Sequence, residues 1–110
     1  MAGTKGPDLT IANGTTTSGV WDLQEEGEIE DIDAIAIYAP STLPEEVTIQ
    51  TENASGDGFR DLYSSLQKVI IPANGHFTIR PVMFERVQVK AGAAVGAART
   101  FGTRYLRKRG

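Results

Sequence analysis

The stretch Arg86-Val87-Gln88-Val89-Lys90 alternates strictly between polar and aliphatic residues. Successive side chains of a β-strand point to opposite faces, so this pattern predicts a strand with its valines inward and its charged residues outward. Residues 47–51, Val-Thr-Ile-Gln-Thr, alternate in the same way. Residues 34–39 are apolar at both parities, which favours a strand that is covered on both faces or lies centrally in its sheet. The sequence therefore predicts a protein built from short β-strands.

Turn residues separate the predicted strands at intervals of about 8–12 residues, the spacing typical of sandwiches and barrels. Asn74-Gly75 supplies the positive φ values that a tight turn needs, so residues 68–71 and 76–80 are predicted to form a β-hairpin. Residues 59–66 are predicted as a strand followed by a turn. With further short strands at residues 9–11, 20–23 and 99–106, the chain holds seven or eight strands.

The predicted fold class is all-β, a single small antiparallel β-sandwich or jelly-roll-like domain. We expect a flexible N-terminal arm at residues 1–8, the sandwich at residues 9–106 and a basic C-terminal tail at residues 107–110. Alternation along the strands predicts a core of eleven side chains: Ile35, Ile37, Val47, Ile49, Val69, Ile71, Phe77, Ile79, Val87, Val89 and Phe101.

Composition argues against several classes of function. The 110 residues include no cysteine and one histidine, His76, so thiol chemistry, zinc–thiolate sites and most histidine-based catalysis lack their residues. Residues 1–8 lack the apolar stretch of a signal peptide, and no apolar run reaches the ~18–20 residues of a membrane span. We therefore expect no enzyme activity, no cofactor, no metal site and no membrane association.

Charge is divided unevenly along the chain. Residues 1–57 contain twelve acidic residues and one basic residue, whereas residues 58–110 contain ten basic and two acidic residues. Such asymmetry indicates an electrostatic partner, unless the two halves interleave in one sandwich and neutralise each other. Both interpretations remain open from the sequence.

An acidic run and a basic C-terminal region are the candidate interaction residues. Six carboxylates lie within nine residues, and four bases lie near the C-terminus: Glu25, Glu26, Glu28, Glu30, Asp31, Asp33, Arg104, Arg107, Lys108 and Arg109. The run lacks the ligand spacing of an EF-hand loop, and four terminal bases on an acidic chain do not favour nucleic-acid binding. We expect the run to be solvated, or to face basic groups of a partner or of a second copy.

Several segments together resemble the small β-sandwich decoration proteins, also called cement or staple proteins, of tailed-bacteriophage capsids. The resemblance extends from Leu9 to Tyr105 and is carried by the segments IANGTTTS at 11–18, AIAIYAPSTL at 34–43, EVTIQ at 46–50, IPANG at 71–75 and FERVQV at 84–89.

The resemblance implies a structural protein of the virion. Such a protein would be assembled in the host cytoplasm, lie on the capsid exterior, contact the major capsid protein and hold neighbouring subunits together, as a dimer or a trimer. The alternative is a phage tail, head-fibre or adhesin-type module that contacts a host glycan. Sugar sites on β-sandwiches use exposed aromatic platforms, and Trp21, Tyr38, Tyr63 and Tyr105 are the aromatic residues left to consider for one.

Overall fold

A computed structural model describes residues 3–26, 31–54 and 56–108. The protein is all-β, with antiparallel sheets packed together as a small β-sandwich, which confirms the predicted fold class. The described residues contain no helix of seven or more residues, and a 3₁₀ turn covers Leu23–Glu26. The strands are β1 (Thr4–Lys5), β2 (Leu9–Ile11), β3 (Trp21–Asp22), β4 (Ile32–Tyr38), β5 (Val47–Glu52), β6 (Arg60–Asp61), β7 (Tyr63–Ser64), β8 (Gln67–Lys68), β9 (Ile70–Ile71), β10 (His76–Ile79), β11 (Arg86–Ala91) and β12 (Arg99–Arg107).

The first sheet has β12 and β4 at its centre. β4 pairs with β12 on one side and with β10 on the other, and β1 and β2 both pair with β12. The second sheet places β11 between β3 and β5, while β6 and β9 pair with β5. β7 and β8 form a separate two-stranded hairpin.

One hydrophobic core lies between the two sheets. Ten of the eleven side chains predicted for it are buried, and Phe77 is half-buried against it. The core is larger than predicted because short segments also contribute to it. Its additional members include Leu9, Ile11, Trp21, Leu23, Ile32, Phe84, Val95 and Tyr105.

The N-terminal segment is attached to the first sheet. The sequence predicts a flexible arm over residues 1–8, but Thr4–Lys5 pairs with Arg104 and Tyr105 as β1 instead. Gly6 continues the contact, because its N–H donates to the Thr103 carbonyl at 3.0 Å. A Cβ on Gly6 would lie 2.8 Å from the Trp21 ring, so only glycine lets the segment pass this close to the indole. At the other end, β12 includes Arg107, which the sequence assigns to the tail.

The hairpin predicted at residues 68–80 is wrong. Ile70–Ile71 pairs with β5 in the second sheet, whereas His76–Ile79 pairs with β4 in the first. The turn between them is closed by the Gly75 N–H, which donates to the Pro72 carbonyl at 3.0 Å, and Asn74 has the predicted positive φ. The turn chemistry is therefore present, but it carries the chain from one sheet to the other.

The two oppositely charged halves of the chain interleave. β4 and β5 from the acidic half lie beside β10, β11 and β12 from the basic half. Among the described residues, four ion pairs join the halves: Arg80–Asp33, Arg86–Asp22, Arg86–Glu52 and Arg99–Glu45. Part of the charge asymmetry is therefore neutralised inside the domain, as one of the two interpretations predicts.

Candidate interaction surfaces

The flanks of the acidic run lie at one end of the first sheet. Glu25 and Glu26 belong to the 3₁₀ turn, with Glu25 exposed and Glu26 half-buried. Asp31 is exposed, and Asp33 forms an ion pair with Arg80 at 2.8 Å. Glu28 and Glu30 lie outside the described residues.

The basic tail of the same chain lies beside this run. Antiparallel pairing of β12 with β4 puts Arg107 opposite Ile32, and the Lys108 N–H donates to the Asp31 carbonyl at 2.7 Å. The Arg107 guanidinium donates to the Glu26 carbonyl and lies 5.5 Å from the centre of the Tyr105 ring. Arg109 lies outside the described residues. A contact of the run with a second copy or with a shell stays a prediction.

Arg104 does not share this location. It lies in the middle of β12 and projects from the outer face of the first sheet, on the opposite side from Thr103 and Tyr105, which are buried. The ten candidate residues therefore do not form one surface. The described members divide between the sheet end, which holds the run and the tail, and the outer sheet face, which holds Arg104.

The best-shielded ion pair joins Arg99 to Glu45. The guanidinium donates from Nε to Oε1 at 3.0 Å and from its terminal amine to Oε2 at 3.2 Å, a bidentate arrangement. These hydrogen bonds lower the pKa of the Glu45 carboxyl. The pair fixes the start of β12 to the segment that precedes β5, and so it links the two sheets.

We expect this pair to make stability depend on pH. Its hydrogen bonds exist only in the folded chain, so the folded pKa of Glu45 lies below the unfolded value of about 4.3. The stabilisation is present above that pH and is lost as the pH falls through the folded pKa. In urea titrations from about pH 7 to about pH 3, the stability difference between wild type and Glu45→Gln should shrink at the acidic end.

The neighbouring Glu46 provides the control for this titration. It is exposed, and no ion pair involves it among residues 3–26, 31–54 and 56–108. Glu46→Gln should follow the wild-type curve at every pH. A constant difference between wild type and Glu45→Gln across the whole range would contradict the assignment.

The β7–β8 hairpin presents an exposed leucine. Ser65 and Leu66 form its two-residue turn, with φ of 53° and 68°. Positive φ at both central residues is the type I′ geometry, which strongly prefers Asn-Gly. Leu66 is 97% exposed at the tip, and Tyr63 and Ile70 are also exposed on the same short segment. A large apolar side chain in a left-handed conformation, facing solvent, is an uncommon choice for a turn.

A further exposed apolar residue, Met83, lies on the loop that precedes β11. Met83 is 80% exposed, and a surface depression of about 540 Å³ lies beside it, lined also by Pro81, Val82 and Phe84. Another depression on its other side is lined by Leu62 and Arg60. Leu62 directly precedes β7, so this region adjoins the base of the hairpin.

Small residues line the centre of the outer face of the first sheet. Ala34, Ala36 and Gly102 occupy central positions, and Tyr38 is stacked on His76 with ring centres 5.0 Å apart. Tyr38 is exposed, but Trp21 and Tyr105, two other aromatic residues considered for a glycan platform, are buried and pack edge to face. This burial removes two of the four candidate platforms.

Other chemistry finds little support in the described parts of the chain. Within residues 3–26, 31–54 and 56–108, no three His, Asp or Glu side chains are grouped so as to hold a metal ion. No helix in these ranges has the length and hydropathy required to cross a membrane. Comparison of the chain with protein-family models, with curated proteins and with solved structures gives no match.

The prediction of a strand followed by a turn over residues 59–66 is correct, because β7 ends at Ser64 and the turn comprises Ser65 and Leu66. Ser65-Leu66 carries none of the Asn, Asp or Gly residues that mark a type I′ turn, so the sequence does not predict this turn type or the exposure of Leu66 at its tip. The prediction that residues 34–39 form a strand covered on both faces or lying centrally agrees with β4, which lies between β12 and β10 and in which residues 34–37 are all buried. Ala34 and Ala36 line a depression on the outer sheet face that the sequence does not predict.

Proposed function

We propose that this protein is a structural component of a bacteriophage virion that binds the outer surface of the capsid and holds neighbouring major-capsid subunits together. The sequence resemblance over residues 9–105 suggests this role, and the all-β sandwich is compatible with it. The structural observation that carries the proposal is Leu66, an apolar side chain held almost fully in solvent at the tip of a hairpin.

The hairpin is suited to dock in an apolar pocket of another protein. Its two-residue turn is short, so ordering it on binding costs little conformational entropy. Exposed apolar side chains on a soluble domain often mark contacts with a partner. Tyr63 lies in the hairpin, Ile70 lies in the strand that follows it and Met83 adjoins its base, so burial of this region would remove apolar surface from water.

Particles that lack the protein provide the test. Purified protein added back to such particles should co-sediment with them, saturate at a fixed number of copies per shell and raise the temperature at which the shell releases its DNA. Failure to co-sediment, or saturable binding to host cells in place of particles, would refute the proposal. The second result would instead support the glycan-binding alternative.

A further inference from the structure

Two cations stand side by side on the outer face of the first sheet. Lys5 in β1 lies directly opposite Arg104 in β12, and paired residues of antiparallel strands project to the same face. Like charges directly opposite each other destabilise a sheet. Asp8 pairs with Lys5 at 3.0 Å. Arg104 has no carboxylate within 4 Å in the described parts of the chain, and its contact there is the Gly3 carbonyl at 3.4 Å.

Gly102 keeps the space beside these cations open. It lies in the interior of β12, directly opposite Tyr38, and a Cβ on it would meet no atom within 4 Å. Its φ is not among the positive values, so no backbone strain requires glycine here. A glycine inside a strand lowers stability and often marks a place where a ligand or another backbone approaches closely.

Two shallow depressions share Arg104 and Tyr38. One, of about 220 Å³, is lined by Lys5, Gly102 and Thr103 together with the shared pair. The other, of about 240 Å³, lies over Ala34, Ala36 and Thr78. The small floor residues allow a backbone to approach the sheet, and Arg104 stands between the two depressions.

The positive charge of this face indicates which kind of partner can bind there. If a second copy packed face to face about an axis close to Arg104, the two Arg104 side chains would repel each other. A carboxylate of a partner would instead reduce the repulsion between Lys5 and Arg104, and it could accept two hydrogen bonds from the Arg104 guanidinium. An extended segment suits a flat sheet face, since every second side chain of such a segment points to the same side.

We propose that this face binds an extended acidic segment of a partner protein, with a carboxylate between Lys5 and Arg104 and the backbone over Gly102 and Ala36. The inference rests on the proposed function, because it assigns a second docking surface to a protein that holds two neighbours together. The hairpin tip would contact one subunit, and the outer face of the first sheet would contact an acidic segment of another.

A labelled peptide of five Glu-Thr repeats is the probe, and a peptide of five Gln-Thr repeats is its control. The full-length protein should bind the acidic peptide more tightly than the neutral one, and raising salt should weaken that binding. Arg104→Gln should weaken it about fivefold. Lys5→Gln should have a smaller effect, since Asp8 already pairs with Lys5. Arg60→Gln removes the same charge from an exposed position of the second sheet and should leave binding unchanged.

The Gly102→Val variant should change the stability of the protein and its peptide binding in opposite directions. The valine should fill the smaller depression and weaken peptide binding about fivefold, while its β-propensity raises the thermal midpoint. Equal binding of both peptides, or binding unchanged by Arg104→Gln, would overturn the inference. Tighter binding of single-stranded oligothymidylate than of the acidic peptide would also overturn it, in favour of nucleic acid.

These experiments test peptide binding by the sheet face independently of the proposed capsid-binding function. Peptide binding is measured without particles, so it tests the sheet face even if the protein does not bind capsids. If particles bind wild type and Arg104→Gln equally, the proposed function stands and the second docking surface fails.

Discussion

Replacing Trp21 with alanine is expected to lower the free energy of unfolding by about 3–5 kcal/mol, the usual cost of removing a large buried aromatic side chain. Trp21 is 2% exposed, packs edge to face with Tyr105 and lies under the segment around Gly6. Its loss would leave a cavity that the surrounding strands fill only in part. Because small domains have total stabilities of about 5–15 kcal/mol, the variant should be close to unfolding. Urea titration followed by far-UV circular dichroism measures the change.

Trp21→Phe is the matched control. The indole N–H of Trp21 has no hydrogen-bond acceptor in the described part of the chain, so phenylalanine sacrifices no polar contact there. We expect it to cost less than half as much as alanine. A loss below about 1 kcal/mol for Trp21→Ala would contradict the burial of this side chain and would return it to the candidate platforms for a sugar.

Replacing Leu66 with glycine should weaken binding to capsid particles about ten- to hundredfold without destabilising the domain. Burying a leucine side chain contributes about 1.5–3 kcal/mol, and 1.4 kcal/mol corresponds to a tenfold change in affinity. Glycine adopts the positive φ of this position without the steric cost that leucine carries. The free energy of unfolding should therefore stay unchanged or rise by up to about 1 kcal/mol. Particle co-sedimentation and urea titration give the two quantities.

Ser65→Asn is the control for this experiment. Asparagine tolerates the left-handed conformation of position 65 and leaves Leu66 in place, so the variant should be as stable as wild type and should bind particles equally well. If Leu66→Gly binds particles as tightly as wild type, the hairpin tip does not contact the shell.

The strands that alternate in sequence are the ones that sequence analysis places correctly. Residues 86–90 and 47–51 are neighbours in the second sheet, with valines and isoleucine inward as predicted. Pairing partners are harder to predict, because they depend on contacts remote in sequence. The Asn74-Gly75 turn shows this difficulty. Its local conformation follows from its own residues, but its position in the fold also depends on hydrogen bonds with Ala39 and Pro40, which follow β4 in the first sheet.

The residues of the candidate surfaces are also easier to predict from the sequence than their spatial relations are. The acidic run and the basic tail are evident in the sequence, but their proximity follows from the pairing of β4 with β12. Lys5 and Arg104 are almost a hundred residues apart in the chain, and only the register of β1 on β12 puts them opposite each other. The role of Gly102 is not predictable from the sequence, because it depends on the open space above the glycine in the folded sheet.

The position of β12 also has a consequence for biosynthesis. This strand lies between β4 and the β1–β2 edge, so the first sheet lacks its central member until residues 99–107 have left the ribosome. Until then Ile35, Ile37 and Leu9 have no Phe101 to pack against, and their apolar surface is exposed. Folding must wait for translation to reach this strand, and the closure of such long loops is slow compared with local helix formation. A nascent chain of this topology is therefore most exposed to aggregation in the interval before β12 becomes available.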